Sequence, residues 1–132
     1  VSGRLVEHMG TGTETRASKY LSELSGEMYG ELHPTLAGKL GLKDNEMMWV
    51  YGTGGGKIKI KCKHSLRVDE HSVFLPQNFS GIWSGESLVN RYPAQTAPYG
   101  LGENSTQVTS YGFDQQTACP ETKCSLVRIE RA

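Results

Sequence analysis

The sequence has little of what would mark a membrane, nucleic-acid or metal protein. Its 132 residues include only three cysteines and five prolines, and fourteen basic residues are matched by fourteen acidic ones. That balance leaves no broad electrostatic footprint for nucleic acid or an anionic membrane, so any anion must be held locally. The longest apolar runs are a few residues, far below the roughly 20 that a bilayer-spanning helix needs, so no direct membrane insertion is expected. No basic segment leads into an apolar one as in a secretory leader. Cys62, Cys119 and Cys124 lack the paired spacing with further Cys or His ligands that zinc requires, so no metal set is expected. Cys119 and Cys124 flank Pro120–Lys123 and read as two unpaired thiols or as a disulfide in an oxidising compartment. The length suits one domain with its own core.

What the sequence does hold is concentrated near its start. Glu7-His8-Met9-Gly10-Thr11-Gly12-Thr13-Glu14-Thr15-Arg16 packs two glycines, three threonines, a histidine and an arginine into ten residues. Gly10 and Gly12 permit positive φ and close backbone approach, which can turn successive N–H groups toward an anion. Thr11, Thr13 and Thr15 add hydroxyls, and Arg16 can make a charge-assisted bidentate contact with phosphate. The pattern is neither a P-loop nor the glycine fingerprint of dinucleotide folds. An ordinary turn into a helix is the competing reading.

Along the chain, Arg4–Val6 reads as a strand, and 17–24 as a short helix with Tyr20, Leu21 and Leu24 on one apolar face, ending near Gly26. Strand 28–32 follows, then a helix over 33–42 with Pro34 at its start and Leu36 and Leu40 on one face. Strand 47–51, the glycine-rich 52–56 and strand 57–63 form a hairpin, with Ile58, Ile60 and Cys62 inward and four lysines outward. That lysine row reads as a solvated or edge-protecting face rather than a nucleic-acid patch. Strand 71–76 stops at its proline, and 77–105 reads as one long irregular loop in which only 86–89 hints at a helical turn. The strand 124–130 closes the chain. The pattern points to a mainly β domain with short helices, a small mixed barrel.

The ordered residues Arg4-Leu5, Glu7-His8, Thr11-Gly12-Thr13, Thr15-Arg16, Glu31-Leu32-His33-Pro34, Leu36-Ala37 and Leu40-Gly41-Leu42 carry a resemblance. So do Gly56–Lys59, Phe74–Pro76, Asp114, Pro120-Glu121 and Lys123. The chain resembles the C-terminal molybdopterin dinucleotide-binding domain of formate dehydrogenase large subunits, in the dimethyl sulfoxide reductase superfamily. Gly10 stands where many relatives carry histidine, Thr106 where asparagine is usual and Thr122 where an aromatic is common.

The resemblance implies a six-stranded double-psi β-barrel spanning 1–132, excised from the C-terminus of a larger enzyme; the start at Val1 agrees with an excised piece. It implies a bis(molybdopterin guanine dinucleotide) cofactor with Mo or W, and an iron–sulfur cluster in an upstream domain. The contacts it implies are His8, Thr11, Gly12, Thr13, Thr15 and Arg16, then Gln77 and Asn78, then Asp114, Gln116, Thr117, Glu121 and Lys123. It places the metal ligand and the formate chemistry in earlier domains, so no catalytic residue is expected here. Expected partners are the remaining domains of the same subunit and the iron–sulfur and membrane subunits of a respiratory complex, exported to the periplasm by the twin-arginine route. The alternatives are another member of the superfamily, such as a nitrate, thiosulfate or polysulfide reductase, or a stand-alone binding module.

Overall fold

The computed structural model describes residues 1–109 and 112–132. In chain order its elements are β1 (Ser2–Gly3), α1 (Lys19–Leu24), β2 (Tyr29–Leu32), α2 (Pro34–Lys39), β3 (Met47–Gly52), β4 (Lys57–His64) and β5 (Val73–Pro76). Then come β6 (Gly81–Trp83), β7 (Glu86–Ser87), β8 (Gly102–Glu103) and β9 (Val127–Arg131), with single 3-10 turns at Thr15–Ala17, Val89–Arg91 and Ser105–Gln107.

The alternation in β3 and β4 decides the main layer. Met48 faces Ile60 and Val50 faces Ile58 across the antiparallel pair, and all four are buried. The opposite face pairs Trp49 with Lys59 and Tyr51 with Lys57. There the Lys57 ammonium lies 4.6 Å from the Trp49 ring centroid and that of Lys59 5.5 Å, while the Arg128 guanidinium sits 4.7 Å from Tyr51. Lys57 and Lys59 therefore form a cation–π cover on Trp49, while Lys61 pairs with Glu27 and Lys63 lies 4.4 Å from the Tyr29 ring centroid.

The six-stranded sheet runs β1-β5-β2-β4-β3-β9, with parallel pairs β1/β5 and β2/β4. It is a mainly β fold, and among the described residues no strand pair joins β1 to β9 to close a barrel. The chain leading into β9 does approach β1, since the Ser2 hydroxyl donates to the Thr122 carbonyl at 2.8 Å. Leu32, Ala37, Leu42 and Cys62 fill the core with the β3/β4 residues, and Leu36 and Leu40 pack half-buried against them. In α2 the His33 side chain caps the Thr35 amide at 3.2 Å with Pro34 in the first turn. All three cysteines are free thiols, and burial pushes that of Cys62 up to about 11, with Asp44 and Glu46 adding to the shift.

Three expectations are corrected. The first strand is Ser2–Gly3, paired with Leu75 and Pro76, because the Leu5 amide goes to the Asn78 side chain instead of to a neighbouring strand. Helix α1 buries Ser22, whose hydroxyl donates to the Arg16 carbonyl at 3.0 Å, and leaves Tyr20 and Leu24 outward. The segment 77–105 is not one irregular loop but carries the sheet β7-β6-β8, whose strands are too short for a period to show. Within it Glu86–Ser87 is strand, paired across a turn at Ser84 and Gly85 that has positive φ at both residues.

Truncating a buried leucine tests the core. Leu32→Ala is expected to cost about 2–5 kcal/mol, whereas Leu126→Ala, at 76% exposure, should stay within about 0.5 kcal/mol; chemical denaturation of both variants checks this.

Candidate functional site

The Gly/Thr segment is a folded loop with its own polar frame. Gly12 donates to the Met9 carbonyl at 2.8 Å and Arg16 to the Gly12 carbonyl at 2.9 Å, so two turns close in series. Both glycines take positive φ, +56° at Gly10 and +72° at Gly12. At Gly12 the backbone passes so close to the next segment that a Cβ would lie 2.1 Å from the Asn78 carbonyl oxygen. Only glycine satisfies both demands there.

Asn78 is the other half of that contact. It has no exposed surface; its Oδ1 accepts from the Leu5 amide at 2.8 Å, and its Nδ2 donates to the carbonyls of Gly10 at 2.6 Å and His8 at 3.2 Å. Gln77, beside it, is held through its backbone, whose amide donates to the Gly3 carbonyl at 2.9 Å.

His8 is a strut and not an open ligand. Its Nε2 lies 2.6 Å from the Ser25 carbonyl, which requires the proton on that nitrogen, and its Nδ1 then accepts from the Thr15 hydroxyl at 3.2 Å. The same hydroxyl accepts from the Met9 amide at 3.3 Å, and the ring meets Phe79 edge-on at 5.3 Å between centroids.

Arg16 corrects the expected phosphate clamp. The side chain is buried, with Nη1 donating to the carbonyls of Gly100 (2.9 Å) and Ser80 (3.1 Å) and Nη2 to the Ser80 hydroxyl (2.8 Å). Its own carbonyl accepts from the Tyr99 amide at 3.0 Å and the Gly100 amide at 3.3 Å. The terminal nitrogens turn inward because the neighbouring carbonyls would otherwise be stranded. Its Nε is buried without a partner, and among the described residues Arg16 makes no ion pair. Burial pushes its pKa below the ordinary guanidinium value, and Tyr92 opposes that shift.

What remains outward is the turn itself. Thr11 and Thr13 are exposed and their hydroxyls lie 3.0 Å apart. A groove of about 580 Å³ opens beside this turn rather than over it, walled by Arg4, Leu5, Glu7, Tyr29, Lys63 and Arg67 among others. Burial raises the Tyr29 phenol pKa, with Glu31 and Glu7 adding to it and Arg67 opposing.

The second group of residues lies apart. Asp114 Oδ1 accepts from the amides of Gln116 (3.0 Å) and Thr117 (2.8 Å) and from the Thr117 hydroxyl (2.9 Å). Those bonds, the Thr117 amide foremost, hold its carboxyl below the usual aspartate range. Glu121 donates its amide to the Gly112 carbonyl at 2.8 Å, and Lys123 lines a separate groove with Leu36, Leu40 and Ile129. Among the described residues no hydrogen bond, ion pair or shared groove joins this set to Thr11–Arg16.

One residue escapes the sequence pattern. Glu103 is buried, and its carboxylate accepts from the amides of Lys59 (3.0 Å), Ser84 (3.0 Å) and Gly85 (2.5 Å) and from the Gln107 side chain (3.3 Å). A lone acid between glycine and asparagine gives no signal of such a knot.

The family model described as "Molydopterin dinucleotide binding domain" matches residues 1–125. Among curated proteins, the "Probable oxidoreductase YjgC" of Bacillus subtilis is 38% identical over 67% of this chain and 8% of its own length. The F420-dependent formate dehydrogenase 1 subunit alpha of Methanococcus maripaludis is 33% identical over 60% of this chain and 12% of its own. The assimilatory nitrate reductase catalytic subunit of Bacillus subtilis is 26% identical over 67% of this chain and 12% of its own. The chain thus spans a small fraction of the curated relatives it matches. Among solved structures, acetylene hydratase from Pelobacter acetylenicus shares the fold at a TM-score of 0.64 and 24% identity, over 85% of this chain and 15% of that one.

Two outcomes are expected. Asn78→Ala strands buried backbone groups and should cost upwards of about 1–3 kcal/mol, with amide exchange rising first at Leu5 and in the Gly10–Gly12 turn, read by hydrogen-exchange mass spectrometry. Because the folded-state pKa of Asp114 is depressed, its bonds are fully present above the ordinary aspartate range and are lost as pH falls through the lowered value. Amide exchange at Gln116 and Thr117, corrected for intrinsic rates, should therefore accelerate on acidification, and Asp114→Asn should flatten the response.

Proposed function

The chain belongs to the molybdopterin dinucleotide-binding domain family, and from that membership we propose that it holds the bis(molybdopterin guanine dinucleotide) cofactor of a longer molybdenum- or tungsten-dependent enzyme that oxidises formate to carbon dioxide. The observation that carries the reading is the Thr11–Thr13 turn: hydroxyls at the surface, backbone bent by two left-handed glycines, and a frame locked by Asn78. Such a turn gives donors for pterin or phosphate oxygens without any reorganisation on binding.

The buried residues fit an anionic group as well. Among the described residues the Arg16 charge has no carboxylate partner and its Nε no acceptor, while a Cβ at Gly12 would stand 3.1 Å from that nitrogen. An unpaired buried cation under a glycine turn lowers the cost of bringing a diphosphate or pterin oxygen onto the turn. Thr11 and Thr13 would hold it directly and Arg16 would supply the field beneath, while the resemblance assigns Asp114, Gln116, Thr117, Glu121 and Lys123 to its other end. Asn78 and His8 act by holding the turn. The bound cofactor supplies the two-electron redox centre, and this domain's part is retention and orientation.

The reading extends to the whole protein. The open ladder, with its parallel β2/β4 pair and the Ser2–Thr122 bond from β1 to the chain leading into β9, is compatible with a double-psi barrel. An upstream iron–sulfur cluster, partner iron–sulfur and membrane subunits and twin-arginine export to the periplasm follow from the respiratory formate dehydrogenase reading alone. A nitrate reductase is the second reading, supported by the assimilatory nitrate reductase match.

The test is made on the full-length protein purified anaerobically, with guanine nucleotide and metal measured by mass spectrometry. Two nucleotides per Mo or W are expected in the wild type. Thr13→Ala should weaken retention by about tenfold or more, the worth of one hydrogen bond to a charged group. Wild-type nucleotide content in both Thr13→Ala and Lys123→Ala would remove the assignments to the turn and to Lys123.

A further inference from the structure

Helix α1 is amphipathic with the wrong side out. Its buried residue is Ser22, held to the Arg16 carbonyl, while Tyr20 and Leu24, one turn apart on a common face, are 80% and 74% exposed. The preceding loop adds Met9 and Val6, both exposed. These residues belong to one mechanical unit, because the His8–Ser25 bond ties the loop to the end of α1 and the Met9–Thr15 bond closes the loop on itself. Four exposed apolar side chains carried by one such unit, two of them on one helix face, are the kind of feature that marks an interface.

The occupant is argued from length and position. The chain accounts for only 8% to 16% of its curated relatives, so a protein built like them carries several times more polypeptide than is folded here. The patch also rises from the same loop that presents Thr11 and Thr13, so whatever covers it borders the cofactor turn. A second copy of this domain is a poorer fit, since it would put two cofactor turns against each other and leave the larger remainder of each chain unaccounted for.

We propose that Tyr20 and Leu24 of α1, with Met9 and Val6, form the seam on which the remainder of the same polypeptide seats alongside the cofactor turn. The inference rests on the reading of a longer parent protein, but it does not depend on the identity of the substrate. Packing of Tyr20 and Leu24 against that remainder explains the i, i+4 apolar spacing that the isolated domain leaves in water.

Photo-crosslinking in the full-length protein tests it. Tyr20→p-benzoylphenylalanine and, in a second protein, Leu24→p-benzoylphenylalanine place the probe on side chains whose replacement leaves the domain core untouched. The expected product is an intrachain cross-link from each position to residues outside this domain, with most of the Tyr20 product lost when Leu24→Lys is added. Cross-links to a second copy or to another subunit, or no cross-link from either position, would overturn the seam. A natural protein no longer than this chain would instead overturn the parent reading, and nucleotide content measured on the same samples reports separately on the cofactor assignment.

Discussion

The Asn78 carboxamide accepts from the Leu5 amide and donates to the carbonyls of His8 and Gly10, so one side chain satisfies three backbone groups of a loop that enters no sheet. Each of those groups, if buried and left unpaired, would cost about 1–3 kcal/mol, which is comparable with the entropy of fixing a residue or two of the loop. The carboxamide therefore decides whether the Gly10–Thr13 turn exists as a defined shape. It also explains the glycine at position 12, since the backbone of the residue that staples the loop passes through the space a Cβ would need. The donors on the outside of the turn follow from an amide on its inside.

Two buried charges then fix the segment that follows. Arg16 reaches Ser80 and Gly100, which lead into the parallel strands β6 and β8 at one end of the small sheet, and Glu103 reaches Ser84 and Gly85, the turn between β6 and β7. Each charge is met by neutral dipoles, carbonyls for the guanidinium and N–H groups for the carboxylate. Dipoles can satisfy hydrogen-bonding geometry without cancelling the charge. The surroundings of Arg16 consequently keep a positive potential that an ion pair would have removed, and it lies under the turn where an anion is proposed to sit. The same bonds make residues 80–103 part of the site's foundation and not an appendage.

The sequence made the sheet legible wherever side chains alternate over six or more residues. Ile58, Ile60 and Cys62 are buried as their spacing requires, and Pro34 opens α2 as proline at a helix start should. It failed where strands have two or three residues, as in β6, β7 and β8, because a period cannot be read over so short a span. It failed at α1 for a different reason: the apolar spacing is real, but the neighbour inside is the Arg16 carbonyl, so Ser22 turns in and the leucine and tyrosine turn out. At the site, the composition of the Gly/Thr loop was readable, whereas the division between outward donors and inward struts was not. Nothing in the order of residues says that His8 spends both ring nitrogens internally or that Arg16 points away from solvent. Those outcomes depend on Ser25, Ser80 and Gly100, which come from three separate parts of the chain.

The polar turn and the apolar helix face are two outputs of one unit, since His8 holds the loop to the end of α1 and Arg16 holds Ser22 within it. A turn that offers hydroxyls and bent backbone to an anion is useful only while water is kept from competing for the same donors. Among the described residues nothing covers Thr11 and Thr13, which are exposed. The apolar side chains flanking the turn are where such a cover can be held by the hydrophobic effect, which needs no matched donors and so leaves those of the turn to the ligand. A covering surface that binds this face and a ligand that binds the turn would each favour the same conformation of residues 5–25. By linkage each would then strengthen the other, with the His8–Ser25 bond as the mechanical connection between them.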